Sequence, residues 1–250
     1  MRLNIRTTFN CNLNCEYCIS KEFRDKNEKL LYDVPVDCIS RIIKEYAVGI
    51  ITFCGHGETV LAKNFKELFL EASKHVKKIE LVSNGSGRKL EWWDSLFNEM
   101  PDGIEYKIIL SLHPSQNNAD SIKKILDLIK EKSNARKYTI IPVVLCPLSI
   151  KDVDRFLEMK ENDPDFFYHI TVIPNIYERE LKQKIHSLIK YEINPLQLSY
   201  DEPYYDLKSR ICEVDLNTIN IDMGKDGKLH IFKINHDYTY THIENDFAPC

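Results

Sequence analysis

Glycine is scarce in this chain, at 8 in 250 residues, about half the usual share. A chain so sparing with glycine keeps what it has for backbone reasons, and Gly55, Gly57, Gly85 and Gly87 stand out as two close pairs. Long apolar runs are missing, and none approaches a membrane span. The start, Met1-Arg2-Leu3-Asn4-Ile5-Arg6-Thr7-Thr8, lacks the apolar core of a signal peptide. Charge of one sign is missing too: 34 Lys and Arg against 38 Asp and Glu give a net −4. Non-specific binding to nucleic acid needs clustered Lys and Arg, so it is not expected. No fixed-length repeat and no low-complexity segment is visible. These absences lead to the expectation of a cytoplasmic protein, free of membrane and nucleic acid.

The length fits one large domain, or one domain with a small extension, and suffices for a core without staples. The chain alternates strand-like and helix-like segments. Leu3 to Phe9 reads as a strand and residues 35–47 as a helix, with Ile39, Ile42, Ile43 and Tyr46 at helical spacing and Pro35 in the first turn. Gly49 to Cys54 has the apolar character of a buried parallel strand. Asn64 to Val76 is helical, Ile79 to Ser83 a strand that stops at Asn84-Gly85, and Leu90, Trp93, Phe97 and Met100 a helical stripe. Tyr106 to Leu112 is a strand, Ile122, Ile125, Leu126 and Ile129 a stripe, and Tyr138 to Leu145 a strand despite Pro142. Val153, Phe156 and Leu157 mark a short helix, Phe167 to Ile173 a strand, and Leu181, Ile185, Leu188 and Ile189 a last helix.

Six β-α units in a row mean a parallel sheet with crossover helices, doubly wound or curled into a barrel. The alternation ends near residue 195. Beyond it, Thr218 to Met223 and Lys228 to Ile234 flank Gly224-Lys225-Asp226-Gly227, which reads as a hairpin.

The unusual polar residues all fall just after a strand. Cys11, Cys15 and Cys18 follow the first, Gly55-His56-Gly57-Glu58 the second, and Asn84-Gly85 the third. Ser111 and His113 end the fourth, Cys146-Pro147 the fifth, and Pro174-Asn175 the sixth. Sites in parallel β/α folds gather at the carboxyl ends of the strands, so these segments converge on one mouth. Cysteine clusters in the cytosol are metal sites more often than disulfides. Three thiolates from one short loop suit an iron–sulfur cluster or zinc, and no fourth ligand follows at zinc-ribbon spacing.

The Cys11-Asn12-Leu13-Asn14-Cys15-Glu16-Tyr17-Cys18 run, entered through Thr8-Phe9-Asn10, closely resembles the signature of radical S-adenosylmethionine (radical SAM) enzymes. Gly55-His56-Gly57-Glu58 resembles the family's Gly-Gly-Glu stretch, with His56 in place of the usual small residue and Thr59 where many members have Pro. Ser83-Asn84-Gly85 resembles its third-strand motif. The resemblance spans residues 1 to about 190 and implies a partial (β/α)6 TIM-type barrel over 1–195. Residues 196–250 then form a small α+β extension whose hairpin covers the barrel mouth.

The resemblance implies that Cys11, Cys15 and Cys18 ligate a [4Fe-4S] cluster whose fourth iron binds S-adenosylmethionine. Gly55, His56, Gly57 and Glu58 line the methionyl amino group, Tyr17 packs near the adenine, and Asn84 and Ser111 bond the ribose or the carboxylate. Reductive cleavage then gives a 5′-deoxyadenosyl radical that takes hydrogen from a substrate. The enzyme class among oxidoreductase, lyase and transferase stays open. The substrate implied is a peptide, as in ribosomal-peptide maturation, or a small metabolite. The electron donor implied is of the flavodoxin or ferredoxin kind. A glycyl-radical activase, a nucleotide- or deazapurine-type synthase, and a cluster-binding module without turnover are the alternatives.

Other candidates have plainer readings beside the functional one. Cys146 is a hydrogen donor or substrate contact, or a buried thiol. His113 is a substrate or SAM contact, or a structural histidine. Tyr17 is readable as core beside its adenine reading, and Cys54 and Cys38 read as buried inert thiols. Cys212 and Cys250 alone do not make the ligand set of an auxiliary cluster, which wants about four.

Overall fold

The computed structural model describes residues 1–16, 18, 20–21, 34–135, 139–168, 170–174, 218–223, 229–234 and 240–242. The predicted helix at Leu181–Ile189, Tyr17, the Gly224–Gly227 turn, Cys212 and Cys250 lie outside the described residues. β1 (Arg2–Arg6), β2 (Ile50–Cys54), β3 (Lys78–Ser83), β4 (Glu105–Ser111), β5 (Thr139–Leu148) and β6 (Ile170–Pro174) pair in parallel in chain order. Helices intervene: α1 (Val36–Glu45), α2 (Phe65–Ser73), α3 (Leu90–Glu99), α4 (Ala119–Ala135), then α5 (Val153–Asn162) and α6 (Pro164–Tyr168). This is the α/β arrangement expected from the alternation and the partial barrel implied by the resemblance, and the sheet is open. No helix among the described residues is long and apolar enough to cross a membrane.

The sheet continues past β1. β7 (Thr218–Met223) pairs parallel to β1, and β8 (Leu229–Ile234) and β9 (Tyr240–His242) follow antiparallel. The order is β6-β5-β4-β3-β2-β1-β7-β8-β9. β1 is therefore a central strand, which explains why Leu3, Asn4 and Ile5 are all buried. One apolar row, Ile108, Leu81, Phe53, Ile5, Ile221 and Ile231, crosses six strands in register, each residue 0% exposed. Each large side chain so buried contributes about 1.5–3 kcal/mol.

The helices cover that apolar side. α1 buries Cys38, Ile39, Ile42 and Ile43, and α2 sets Phe65 and Phe69 around Phe53 at ring-centroid distances of 5.5 and 5.4 Å. Trp93, Leu96 and Phe97 seat α3, whereas Leu90, counted in that stripe, is exposed at the helix start.

One boundary differs from the sequence expectation for a physical reason. Phe167 belongs to helix α6, not to a strand. Asp163 Oδ1 accepts the Phe166 N–H at 3.2 Å and Pro164 opens the helix, a start signal that overrides the aromatic β-preference. Phe167 then packs edge-on to Phe156 at 5.2 Å. Pro142 does lie within a strand, in the stretch of β5 before its pairing with β6 begins at Val144, so it stands where the strand is an edge.

Candidate active site

The two sides of the sheet differ in chemistry. Register places Asn4, Thr52, Glu80 and Lys107 in one row of the side away from the helices, and Arg6 beside Cys54 in another. At the amino ends this side is closed by charge pairs. Arg2 Nη1 donates to Glu80 Oε2 at 2.5 Å and to Thr52 Oγ1 at 2.9 Å, and Lys78 meets Glu105 at 2.7 Å. At the carboxyl ends, the predicted motif residues gather.

The cysteine loop is laid on the Gly55–Glu58 segment backbone to backbone. Gly57 N–H donates to Thr8 O at 3.2 Å and Glu58 N–H to Asn10 O at 2.7 Å. The approach is so close that a Cβ on Gly57 would stand 2.1 Å from Asn10 O. That is the reason a chain poor in glycine keeps one here. Thr7 Oγ1 adds a buried bond to Thr59 O at 2.9 Å.

Further along, the loop is tied to one strand exit after another. Asn12 Oδ1 accepts from Asn84 Nδ2 at 3.0 Å, and Asn12 Nδ2 donates to Ser86 Oγ at 2.9 Å, both beyond β3. Asn14 N–H donates to Gln116 Oε1 at 3.3 Å, beyond β4. Glu16 pairs with Lys151 at 2.6 Å, beyond β5. The residues alternating with Cys11 and Cys15 are thus the fastenings. Asn12 acts through its side-chain amide, Asn10 and Asn14 through the backbone and Glu16 through its carboxylate. Sequence reasoning did not single these out, although asparagine on both sides of Leu13 was a visible signal.

Glu58 is 2% exposed. Its Oε1 accepts from Ser83 Oγ at 2.5 Å and from Val60 N–H at 3.4 Å, and its Oε2 from Asn84 N–H at 2.6 Å. Burial pushes its pKa above the ordinary 4.5, against the pull of those bonds. A Cβ on Gly87 would meet Glu58 Cγ at 2.6 Å, so the second glycine pair makes room for this side chain. Glu58 therefore ties the end of β2 to the end of β3.

Asn84 faces Asn12 and Ser86, with Oδ1 accepting from Ser86 N–H at 2.8 Å. Its carbonyl accepts from Asn118 Nδ2 at 2.7 Å, and the same amide donates to Ser111 O at 2.8 Å. Asn118 Oδ1 accepts from His113 N–H at 2.8 Å. Asn118 is 1% exposed and joins three strand-end residues, a role sequence reading missed because nothing marks it out in the chain. Ser111 stands half-buried, in register with Leu145. His113 is half-buried, and the desolvation of its ring brings its pKa down to about 4.

Cys146 is fully buried, in register with Val172 and between the buried Val144 and Leu148. It therefore lies on the helix-facing side, and burial, reinforced by the Asp152 carboxylate, pushes its thiol pKa well above the ordinary value. Cys54, read from the sequence as a buried inert thiol, is half-buried on the opposite side in register with Arg6.

Cys11, Cys15 and Cys18 are all thiols, Cys15 buried and the other two half-buried. Cys18 N–H donates to Cys15 O at 3.1 Å, so the last two share a turn. Among the described residues no three His, Cys, Asp or Glu side chains stand grouped as a metal-holding set. The donor chemistry itself, three thiols on one fastened loop, fits an iron–sulfur cluster.

An open parallel β/α sheet with its polar constellation at the strand carboxyl ends defines a barrel-type α/β protein. The chain belongs to the radical SAM superfamily, whose description matches residues 5–159. It is similar to sporulation killing factor maturation protein SkfB of Bacillus subtilis, 24% identical over 171 residues, 66% of this chain and 40% of that protein. It is also similar to a probable GTP 3′,8-cyclase of Methanocaldococcus jannaschii, 24% identical over 232 residues, 80% of this chain and 76% of that protein. In fold it is similar to anSMEcpe with bound AdoMet, with a TM-score of 0.50 and 18% identity over 76% of this chain and 59% of that one. The chain thus spans 40% of SkfB and 59% of anSMEcpe.

Proposed function

We propose that this chain is a radical SAM enzyme that acts on a peptide substrate. The observation that carries the reading is the loop with Cys11, Cys15 and Cys18, fastened residue by residue to the exits of β2, β3, β4 and β5. When bound, a [4Fe-4S] cluster with S-adenosylmethionine supplies one-electron cleavage to methionine and a 5′-deoxyadenosyl radical that takes hydrogen from the substrate. Cys11, Cys15 and Cys18 hold the cluster, and the fastenings fix their loop before any ligand arrives. The backbone of Gly55–Gly57 offers the close approach an amino-acid ligand needs. In this reading Glu58 holds that backbone in place, since its oxygens are already engaged by Ser83, Asn84 and Val60. Tyr17, Asn84, Ser111 and the neutral imidazole of His113 border the nucleoside. The electron comes from a partner of the flavodoxin or ferredoxin kind.

The name of SkfB, the maturation protein of a sporulation killing factor, supports the peptide. A second reading, nucleotide cyclisation, is favoured by the longer alignment with the probable GTP 3′,8-cyclase. The test uses anaerobically reconstituted protein with dithionite and S-adenosylmethionine, read as 5′-deoxyadenosine by mass spectrometry. The parent is expected to form it and the Cys11→Ala, Cys15→Ala, Cys18→Ala variant none. A parent that binds no iron sinks the assignment. Faster formation on adding GTP, with a new nucleotide mass, replaces the peptide by the nucleotide.

A further inference from the structure

His56 is the residue at which this chain departs from the Gly-Gly-Glu pattern, and its side chain reaches across to the cysteine loop. Its Nε2 lies 3.2 Å from Arg6 Nη1 and its Nδ1 3.3 Å from Ser20 Oγ. The ring stacks on Phe9 with centroids 5.3 Å apart and planes 3° apart. A guanidinium only donates. Nε2 is therefore the accepting nitrogen, the ring proton sits on Nδ1, and Nδ1–H donates to Ser20 Oγ.

Ser20 is buried and belongs to the turn that carries the third cysteine. Cys18 O accepts the Lys21 N–H at 3.0 Å, and Cys18 N–H donates to Cys15 O. The fastenings at Asn10, Asn12, Asn14 and Glu16 all precede Cys18 in the chain. The Ser20–His56 bond follows it and closes the loop from the other side. One ring thus joins the last residue of β1, the chain just beyond it, and the far end of the cysteine loop.

We propose that His56 is a positioning residue that holds the Cys18 turn against the exits of β1 and β2. A small residue at position 56 offers neither the hydrogen bond to Ser20 nor the stack on Phe9. This inference rests on the assignment of Cys18 as a cluster ligand, but its structural half stands apart from that assignment and is read on the full apo chain.

The experiment is the rate of iodoacetamide alkylation at Cys18, resolved by peptide mass spectrometry, with the buried Cys38 and Cys146 staying unmodified in the same sample as the check that the chain is folded. His56→Ala is expected to raise the Cys18 rate about tenfold, the effect of freeing a turn held by one or two net hydrogen bonds. Ser20→Ala, which deletes a single oxygen, raises it in the same direction and carries the test should His56→Ala not fold. His56→Asn retains a donor near Nδ1 and recovers most of the protection, while His56→Phe keeps only the stack and does not. After reconstitution, His56→Ala loses iron to a chelator faster than the parent. Equal Cys18 rates in parent, His56→Ala and Ser20→Ala overturn the proposal. Full protection by His56→Phe overturns it as well, because packing alone then suffices. A parent that takes up no iron defeats the proposed function while the alkylation rates still decide the role of His56.

Discussion

On the helix-facing side of the sheet, the row from Ile108 through Phe53 to Ile231 crosses six strands with nothing exposed. On the other side, the row Asn4, Thr52, Glu80, Lys107 and Ile141 is polar at every position but the last, and Ile141 is 40% exposed. Four strands, β1 to β4, supply both rows, one residue apart. The helix side is filled by close packing, where each removed methylene is felt. The open side is held by directed bonds, such as Arg2 to Glu80 and Glu58 to Asn84, which fix geometry more than they add stability. Damage to the first side should unfold the chain; damage to the second should disable it while it stays folded.

The sharpest test of that division is Phe53→Ala. The side chain is 0% exposed and sits among Phe65 and Phe69, so the cavity is expected to cost about 3–5 kcal/mol in urea unfolding. Gly57→Ala is the counterpart at the strand ends. Its Cβ has no place 2.1 Å from Asn10 O, and the cysteine loop must lift off the Gly55–Glu58 segment. The expected cost is about 1–3 kcal/mol, smaller than for Phe53→Ala. Iron uptake after reconstitution, however, should fall nearly to that of the triple cysteine variant. A Gly57→Ala protein that loads iron normally breaks the comparison.

The sequence disclosed the apolar side and the motif positions for one reason: both depend on local period and on strand ends. The apolar run Gly49–Cys54 and the helical spacing of Phe65, Leu68, Phe69 and Ala72 gave the strand and the helix directly. What stayed hidden depends on partners distant in the chain. Asn118 becomes a joint only once β3 and β4 are adjacent, and Asn12 only once the loop meets Asn84. The two cysteines show how little a strand end says about a face. Cys54 closes β2, and Cys146, expected to end the fifth strand, stands two residues inside the end of β5, yet register turns Cys146 toward the helices and Cys54 away. A one-residue offset decides it, and the sequence alone does not fix that offset where apolar residues stand on both sides. Phe167 shows the reverse case, in which a Pro164 helix start outweighed an aromatic run.

At the strand ends, pH acts through two groups with opposite signs. Burial raises the Glu58 pKa above 4.5. A raised acid contributes stability fully below its unfolded pKa and loses it as pH rises through the folded one. In Glu58→Gln the loss of stability from pH 4.5 toward neutrality should therefore be shallower than in the parent. Burial brings His113 down to about 4. Its contribution is present above its ordinary 6.5 and is lost as pH falls toward 4, so His113→Asn should flatten that acid limb. Urea midpoints measured from pH 4 to 8 check both. Unchanged slopes in both variants mean that these groups are more open to water than their burial shows.

The smallest expected effects concern the two thiols, and they bear most directly on the contrast between the faces. Cys146→Ala removes a fully buried sulfur on the packed side and is expected to cost about 1 kcal/mol. Cys54→Ala removes a half-buried one on the open side and is expected to cost about 0.5 kcal/mol or less. Reactivity should invert that order. In the native protein iodoacetamide reaches Cys54, while Cys146 stays unmodified until urea unfolds the chain, since it is both enclosed and held as the neutral thiol. Native labelling of Cys146 at the rate of Cys54 is the result that removes the contrast. It requires that the strand end at Cys146 opens to the mouth, and it restores the thiol as a candidate for contact with substrate.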